Sequence, residues 1–150
     1  MMRAVLQRVR KAKVEVDEMI TGEIKRGLIV FIGVEKTDQE QDAVYLAAKT
    51  ANLRIFENDE NKMSVSAKDI QGEILAVSQF TLLGDCRKGR RPDFSSAASP
   101  DLAKKLYEIY IENLEQEGLK VARGCFGENM LVSIENDGPV TIILDSKKSF

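Results

Sequence analysis

Histidine and tryptophan are both absent from this 150-residue chain. Without imidazole there can be no Ser-His-Asp or Cys-His nucleophile system, no histidine metal triad and no imidazole acid-base catalysis. Any chemistry must use hydroxyls, amides, charged side chains or the backbone. Cysteine is scarce: Cys86 and Cys125 are the only two, with no C-x-x-C spacing and no neighbouring ligand types. That argues against a structural zinc site and predicts free thiols in a reducing compartment, although spacing alone leaves a disulfide between them open. The longest apolar run, Leu28 to Val34, has seven residues, against the ~20 that a membrane helix needs. The basic N-terminus is followed by no apolar signal-peptide core. These absences predict a cytoplasmic protein with no membrane segment. A net charge of −2 argues against a globally basic nucleic-acid binder, so any contact with a polyanion must come from a local patch.

What is present fits one soluble domain, with 43% hydrophobic and 31% charged residues. Met2 to Asp17 alternates in polarity as a strand with one wet face does, Thr21-Gly22 reads as a turn, and Leu28 to Val34 reads as a central strand. Thr37 followed by Glu40 gives a capping box ahead of a helix from about Asp38 to Leu53. Ser99-Pro100-Asp101 starts a second helix, with Leu102, Leu106, Ile109, Tyr110 and Leu114 as its apolar stripe and Gly118 as its stop. Tyr107 and Tyr110 read as packing residues with wet hydroxyls. Leu119 to Ala122, Met130 to Glu135 and Val140 to Leu144 return to strand. Acids in the Asn58 to Lys62 loop lack EF-hand spacing. No repeat, nucleotide-binding glycine loop or cofactor motif appears, so neither cofactor nor metal is predicted. Strands, helix, strand, helix, strands favour an α+β fold: a compact β-rich, barrel-like single domain with two main helices.

Two stretches carry candidate chemistry. Gly72 to Leu83, GEILAVSQFTLL, reads as one buried strand in which Ser78 and Phe80 face away from Gln79 and Thr81. It opens into a loop holding Arg87, Lys88, Arg90 and Arg91. This is either a solvated turn after a half-exposed strand end or a site for an anionic, polar substrate. The second stretch is Asn136-Asp137-Gly138-Pro139. Asp-Gly is a hairpin signal, yet proline removes a ladder donor where pairing should resume. Glycine before proline also lets the backbone approach a ligand closely.

MRAVLQRV at Met2 to Val9, SQFTLLGD at Ser78 to Asp85, the KGRRPDF loop and NDGPVT at Asn136 to Thr141 together resemble the D-aminoacyl-tRNA deacylases over the whole chain. The resemblance implies hydrolysis of the ester joining a D-amino acid to the 3′ end of tRNA. It implies a homodimer with its active sites at the subunit interface. Ser78, Gln79, Phe80 and Thr81 would line the pocket for the aminoacyl-adenosine end, with Phe126 and Met130 as walls. Gly138 and Pro139 would be a Gly-cisPro motif that enters the partner's pocket and excludes L-amino acids, held in place by Arg8. Asp93 departs from the serine expected there, and Met1 is an extra residue.

An aminoacyl ester is already activated, so positioning and charge stabilisation go far. Backbone N–H groups near Phe80 and Thr81 are the candidate oxyanion donors. Thr81 as nucleophile would lack a base, because no histidine, lysine or N-terminal amine is evident in its motif. The reading is therefore that Thr81 orients substrate or water and that the 2′-hydroxyl of the terminal ribose assists. A backbone filter would reject L side chains and pass glycine, making glycyl-tRNA a substrate. Arg87, Lys88, Arg90 and Arg91, with Lys147 and Lys148, would meet tRNA phosphates. Two other functions compete: an RNA-binding module without chemistry, disfavoured by 6% aromatics and no RRM or KH signature, and an interaction protein that dimerises through exposed strands.

Overall fold

A computed structural model describes all residues from Met1 to Phe150. The first strand, β1 (Arg3–Val16), is the spine of the sheet. One edge takes β3 (Gly27–Gly33) along its first half and β2 (Met19–Ile24) along its second, both antiparallel. The β1–β2 turn is Asp17-Glu18, with φ of 49° and 66°, the paired left-handed conformation of a two-residue hairpin. It is not Thr21-Gly22, which lies inside β2. Gly22 is there because the barrel wall closes at that point. A Cβ on it would collide with the carbonyl of Arg123 in β7 (Lys120–Arg123).

From β3 the chain crosses through α1 (Glu40–Asn52) and a small hairpin of β4 (Phe56–Glu57) and β5 (Met63–Val65), then enters β6 (Glu73–Ser78) parallel to β3. A second crossover, α2 (Pro100–Gln116), leads to β7, parallel to β6. The sheet order β2-β1-β3-β6-β7, with β2 returning toward β7, makes a nearly closed barrel with the helices on one side. The α+β, barrel-like expectation matches this architecture. The two parallel pairings were not legible from element order alone.

α1 starts two residues later than the Thr37 signature suggests. Gln39 is the N-cap, and its N–H donates to Asp42 Oδ2 at 2.7 Å. Asp38 does not enter the helix, since its side chain is buried and accepts from the Glu35 N–H at 2.6 Å. α2 begins as the sequence predicts, with Ser99 Oγ accepting from the Leu102 N–H and Gly118 at φ 90° ending the run.

Period-two and period-3.6 patterning fills two cores. Between sheet and helices lie Leu6, Leu28, Val30, Ile74 and Ala76 against Leu46, Leu106, Tyr110 and Leu114. Inside the barrel lie Val9, Val14, Ile24, Ile29, Leu75 and Val77. Burial of each large aliphatic side chain contributes about 1.5–3 kcal/mol. The tyrosine hydroxyls are not wet: Tyr107 donates to the Ala76 carbonyl at 2.7 Å and Tyr110 meets Thr50 Oγ1 at 2.9 Å, both buried. Burial raises both phenol pKa values and keeps the two groups neutral.

β8 (Leu131–Asp145) pairs antiparallel with β1 on its other edge. Asn136 to Pro139 is therefore not a hairpin between two strands. Gln7 faces Thr141 and Val9 faces Asn136, so three extra residues of β8 bulge from an otherwise continuous ladder. A hairpin needs the chain to reverse, and here both arms run along the same partner.

Candidate active site

β6 ends at Ser78, where the next carbonyl along this edge of β3, that of Val34, accepts from the Ala98 N–H at 2.9 Å instead. Ile32 pairs with Ser78, and the last bond of this edge runs from the Gln79 N–H to the Ile32 carbonyl at 2.7 Å. The chain then tightens into a 3-10 turn, Phe80–Leu83, closed by Leu82 N–H to Gln79 O at 3.2 Å and Gly84 N–H to Thr81 O at 3.0 Å. The turn packs on Gly33, where any Cβ would meet Leu83 and Leu82. The single-strand reading of Gly72 to Leu83 thus fails after Ser78, and so does the alternation of faces it assigned to Gln79, Phe80 and Thr81. Phe80 and Thr81 occupy the first positions of the turn, where backbone N–H groups have no preceding turn carbonyl to bond.

Where β6 meets this turn there is an open cleft of about 570 Å³. Ser78, Gln79 and Phe80 form one wall, and Phe126 and Met130 form part of the other. The structure thus brings together five of the residues predicted from sequence. Thr81 does not line the cleft; it is exposed, and its hydroxyl is bonded to the Gln79 side-chain amide. Phe80 is 58% exposed and rests edge-on against Phe94 at 5.3 Å between ring centres. The floor is apolar and joins the barrel core through Val77, Met130 and Val132. Sequence reading missed Ala98, Pro100 and Ala103, because Pro100 was already explained as a helix start. It also missed Glu128 and Asn129, although both lie in the FGENM stretch that holds Phe126 and Met130.

Gly138 and Pro139 are exposed and lie outside this cleft; Gly138 instead borders a separate pocket of about 140 Å³ with Arg8, Arg26, Glu57 and Asp137. Arg8 is 5% exposed. Its Nε donates to the Asp137 carbonyl at 3.1 Å and its Nη1 to the Ile55 carbonyl at 2.8 Å, with the Asp137 and Glu57 carboxylates 3.4 and 3.6 Å away. Asn136 ties the bulge to β1 by donating to the Arg8 carbonyl at 2.9 Å. Gly138 has φ 121° and lies so close to the Arg8 guanidinium that a Cβ would clash. The cis bond implied by resemblance is not found, since no peptide bond in the chain is cis. Trans is the cheaper isomer even before proline, and the left-handed glycine makes the bend.

The basic loop is a short excursion pinned at its base by reciprocal backbone bonds between Asp85 and Asp93 at 2.8 and 2.9 Å. The Asp93 carboxylate is used locally, accepting from Ser95 Oγ at 2.7 Å. Arg87 folds back on Asp85 in a two-pronged pair at 2.9 and 2.7 Å. The Arg87 guanidinium holds the Asp85 carboxyl down at about 2. Lys88, Arg90 and Arg91 are exposed and make no ion pair within the chain. Lys147 and Lys148 are engaged elsewhere, with Asp42 at 3.2 Å and over the Tyr45 ring at 5.2 Å. Cys86 and Cys125 are free thiols.

The fold and cleft define a compact barrel with an open, apolar-floored site whose polar lining is made of hydroxyl, amide, carboxylate and backbone groups. Comparison with known proteins identifies the class. The family model described as D-Tyr-tRNA(Tyr) deacylase matches residues 5–145. A D-aminoacyl-tRNA deacylase of Thermotoga petrophila is 58% identical over 149 residues, 99% of this chain and 100% of the relative; one from Clostridium perfringens is 54% identical over the same shares. Among solved structures, a c-Myc DNA unwinding element binding protein superposes with TM-score 0.89 at 40% identity, covering 95% of this chain and 97% of that one. A probable eukaryotic D-amino acid tRNA deacylase shares the fold, with TM-score 0.84 at 19% identity over 96% and 98% of the two chains. The chain belongs to the D-Tyr-tRNA(Tyr) deacylase family and is a hydrolase.

Proposed function

We propose that this chain hydrolyses the ester of D-aminoacyl-tRNA in the cytoplasm, releasing free D-amino acid and tRNA, and that it does so as a homodimer. The observation that carries the reading is the cleft, in which Ser78, Gln79 and Phe80 stand opposite Phe126 and Met130 in a chain of deacylase sequence. The cleft is open, with a volume of about 570 Å³, and its floor is apolar, as a site for an amino-acid side chain requires. The backbone N–H groups of Phe80 and Thr81 serve as donors to the developing oxyanion, each worth about 100- to 1,000-fold in rate. The bond between Thr81 and Gln79 supports a positioning role for the threonine, and the terminal 2′-hydroxyl of the substrate assists the attack.

The site is completed by a second copy. Gly138 and Pro139 stand exposed on a bulge held by Arg8 and Asn136 that does not line the Ser78–Phe80 cleft of its own chain. Phe31, Val5 and Ile143 are register partners across β3, β1 and β8 and so share one face, with Ile143 56% exposed. That apolar row suits burial against its symmetric equivalent. In the dimer the Gly138-Pro139 backbone enters the partner's cleft and collides with an L side chain, while glycine, having none, passes. Lys88, Arg90 and Arg91 meet tRNA phosphates.

Incubation of the purified protein with D-tyrosyl-, L-tyrosyl- and glycyl-tRNA tests the proposal. Release of D-tyrosine and glycine with L-tyrosyl-tRNA intact is expected. Binding of tRNA without turnover would instead make the chain an RNA-binding module, and resistance of glycyl-tRNA would remove the backbone filter.

A further inference from the structure

β6 has strand partners on both edges only as far as Ala76. β7 pairs with it up to Ala76 and Arg123, and the ladder closes with the Gly124 N–H donating to the Ala76 carbonyl at 3.0 Å. Beyond that point no strand lies on this edge, and Val77, Ser78, Gln79 and Phe80 line the cleft instead. The Ala76 carbonyl is therefore the last fixed point of β6 on the cleft side. A carbonyl oxygen has two lone pairs, and this one also accepts from the Tyr107 hydroxyl at 2.7 Å.

Tyr107 reaches the other wall as well. Its ring lies 6.1 Å from that of Phe126, centre to centre, at an angle of 43°. The helix puts it there: Pro100 and Ala103 line the cleft, and Tyr107, four residues after Ala103, follows on the same face of α2. Burial holds the phenol protonated, so it donates a hydrogen bond and takes no proton from substrate. Tyr110, about one turn further on, is equally buried, yet its hydroxyl meets Thr50 of α1, and neither residue lines the cleft. We infer that Tyr107 is a positioning residue of the cleft: its hydroxyl fixes the end of β6, and with it the Phe80 and Thr81 N–H groups, while its ring backs Phe126, so that one side chain holds the two walls in register. The kinetic consequence rests on the deacylase reading; the structural one rests on the geometry alone. Donors to an oxyanion act in the transition state, so their displacement is read in kcat with KM little changed.

The test compares wild type, Tyr107→Phe and the control Tyr110→Phe, each variant losing one buried hydroxyl and keeping its ring. Tyr107→Phe is expected to lower kcat for D-tyrosyl-tRNA by about tenfold with KM within about twofold of wild type. Tyr110→Phe changes neither. Hydrogen exchange gives a readout that needs no activity: the Gln79 amide, bonded to the Ile32 carbonyl, should exchange faster in Tyr107→Phe relative to amides of the β1–β3 ladder, and at the wild-type ratio in Tyr110→Phe. Equal kinetics in the two variants, or exchange at Gln79 that rises no more than in the β1–β3 ladder, overturns the role of Tyr107 and leaves the deacylase reading in place. Failure of wild type to cleave D-tyrosyl-tRNA would overturn the deacylase reading, and the exchange measurement would still decide whether Tyr107 fixes the end of β6.

Discussion

Arg8 links strand pairing to the shape of the Asp137-Gly138 bulge. It is buried, yet its guanidinium is satisfied by two carbonyls and lies between two carboxylates, so it holds the Asp137-Gly138 bulge in a single shape. Arg8→Ala leaves the Ile55 and Asp137 carbonyls without their charged donor, and is expected to cost about 2–3 kcal/mol in urea unfolding and to abolish turnover. Thr81 is the opposite case. Its hydroxyl lies outside the cleft and is already bonded to Gln79, so Thr81→Ala should slow single-turnover release of D-tyrosine by about tenfold at most. A loss of several thousand-fold, with a covalent aminoacyl adduct trapped on wild type, would make the threonine a nucleophile. The role of Arg8 rested on resemblance to the QRV stretch, because nothing in local spacing tells an arginine on a strand that it will be buried.

At the scale of elements, the basic loop carries a pH signature. The folded Asp85 carboxyl titrates at about 2 because Arg87 grips it, below the ~3.9 of an unfolded chain. A lowered folded pKa stabilises the loop above about pH 4, and the contribution is lost as pH falls toward 2. The Asp85–Arg87 pair therefore stays charged at any physiological pH. NMR titration of Asp85 in Arg87→Ala should move the carboxyl up toward the ordinary range, part of the shift remaining because the residue 87 N–H still donates to it. Lys88 is free of partners, so Lys88→Gln should reduce the salt dependence of tRNA binding by about one unit of slope; an unchanged slope would leave the loop a solvated turn. The same elements show what was readable in advance. Ser99-Pro100 marked α2 to the residue because a cap is local chemistry. The end of β6 was hidden, since Phe80 to Leu83 has good strand residues and turns where Ala98, distant in sequence, takes the next carbonyl of that edge, Val34. The Asp17-Glu18 turn was likewise masked by Gly22, whose small size serves contact with β7 rather than a bend.

For the whole molecule, the barrel-like α+β architecture was readable from element order and periodicity, and the cleft wall of Ser78, Gln79 and Phe80 from the resemblance. Two features depend on long-range pairing and were not: the parallel β3-β6-β7 arm, and β8 running unbroken past its bulge along β1. Both matter to function. The first brings the end of β6 beside the FGENM turn; the second holds Gly138-Pro139 exposed and away from the cleft of its own chain. On the proposed function, a site and a filter carried on separate surfaces work only when two copies exchange them. The most direct test mixes two variants after unfolding and joint refolding, each expected to be inactive alone: Gly138→Ala, whose added Cβ collides with Arg8 and displaces the bulge that completes the partner's site, and Gln79→Ala, which loses the cleft wall. In each mixed dimer one site has neither defect, so random pairing restores about a quarter of wild-type sites. D-tyrosine release from D-tyrosyl-tRNA at about that level is the predicted result. A mixture no more active than its two components alone would contradict a site shared between subunits.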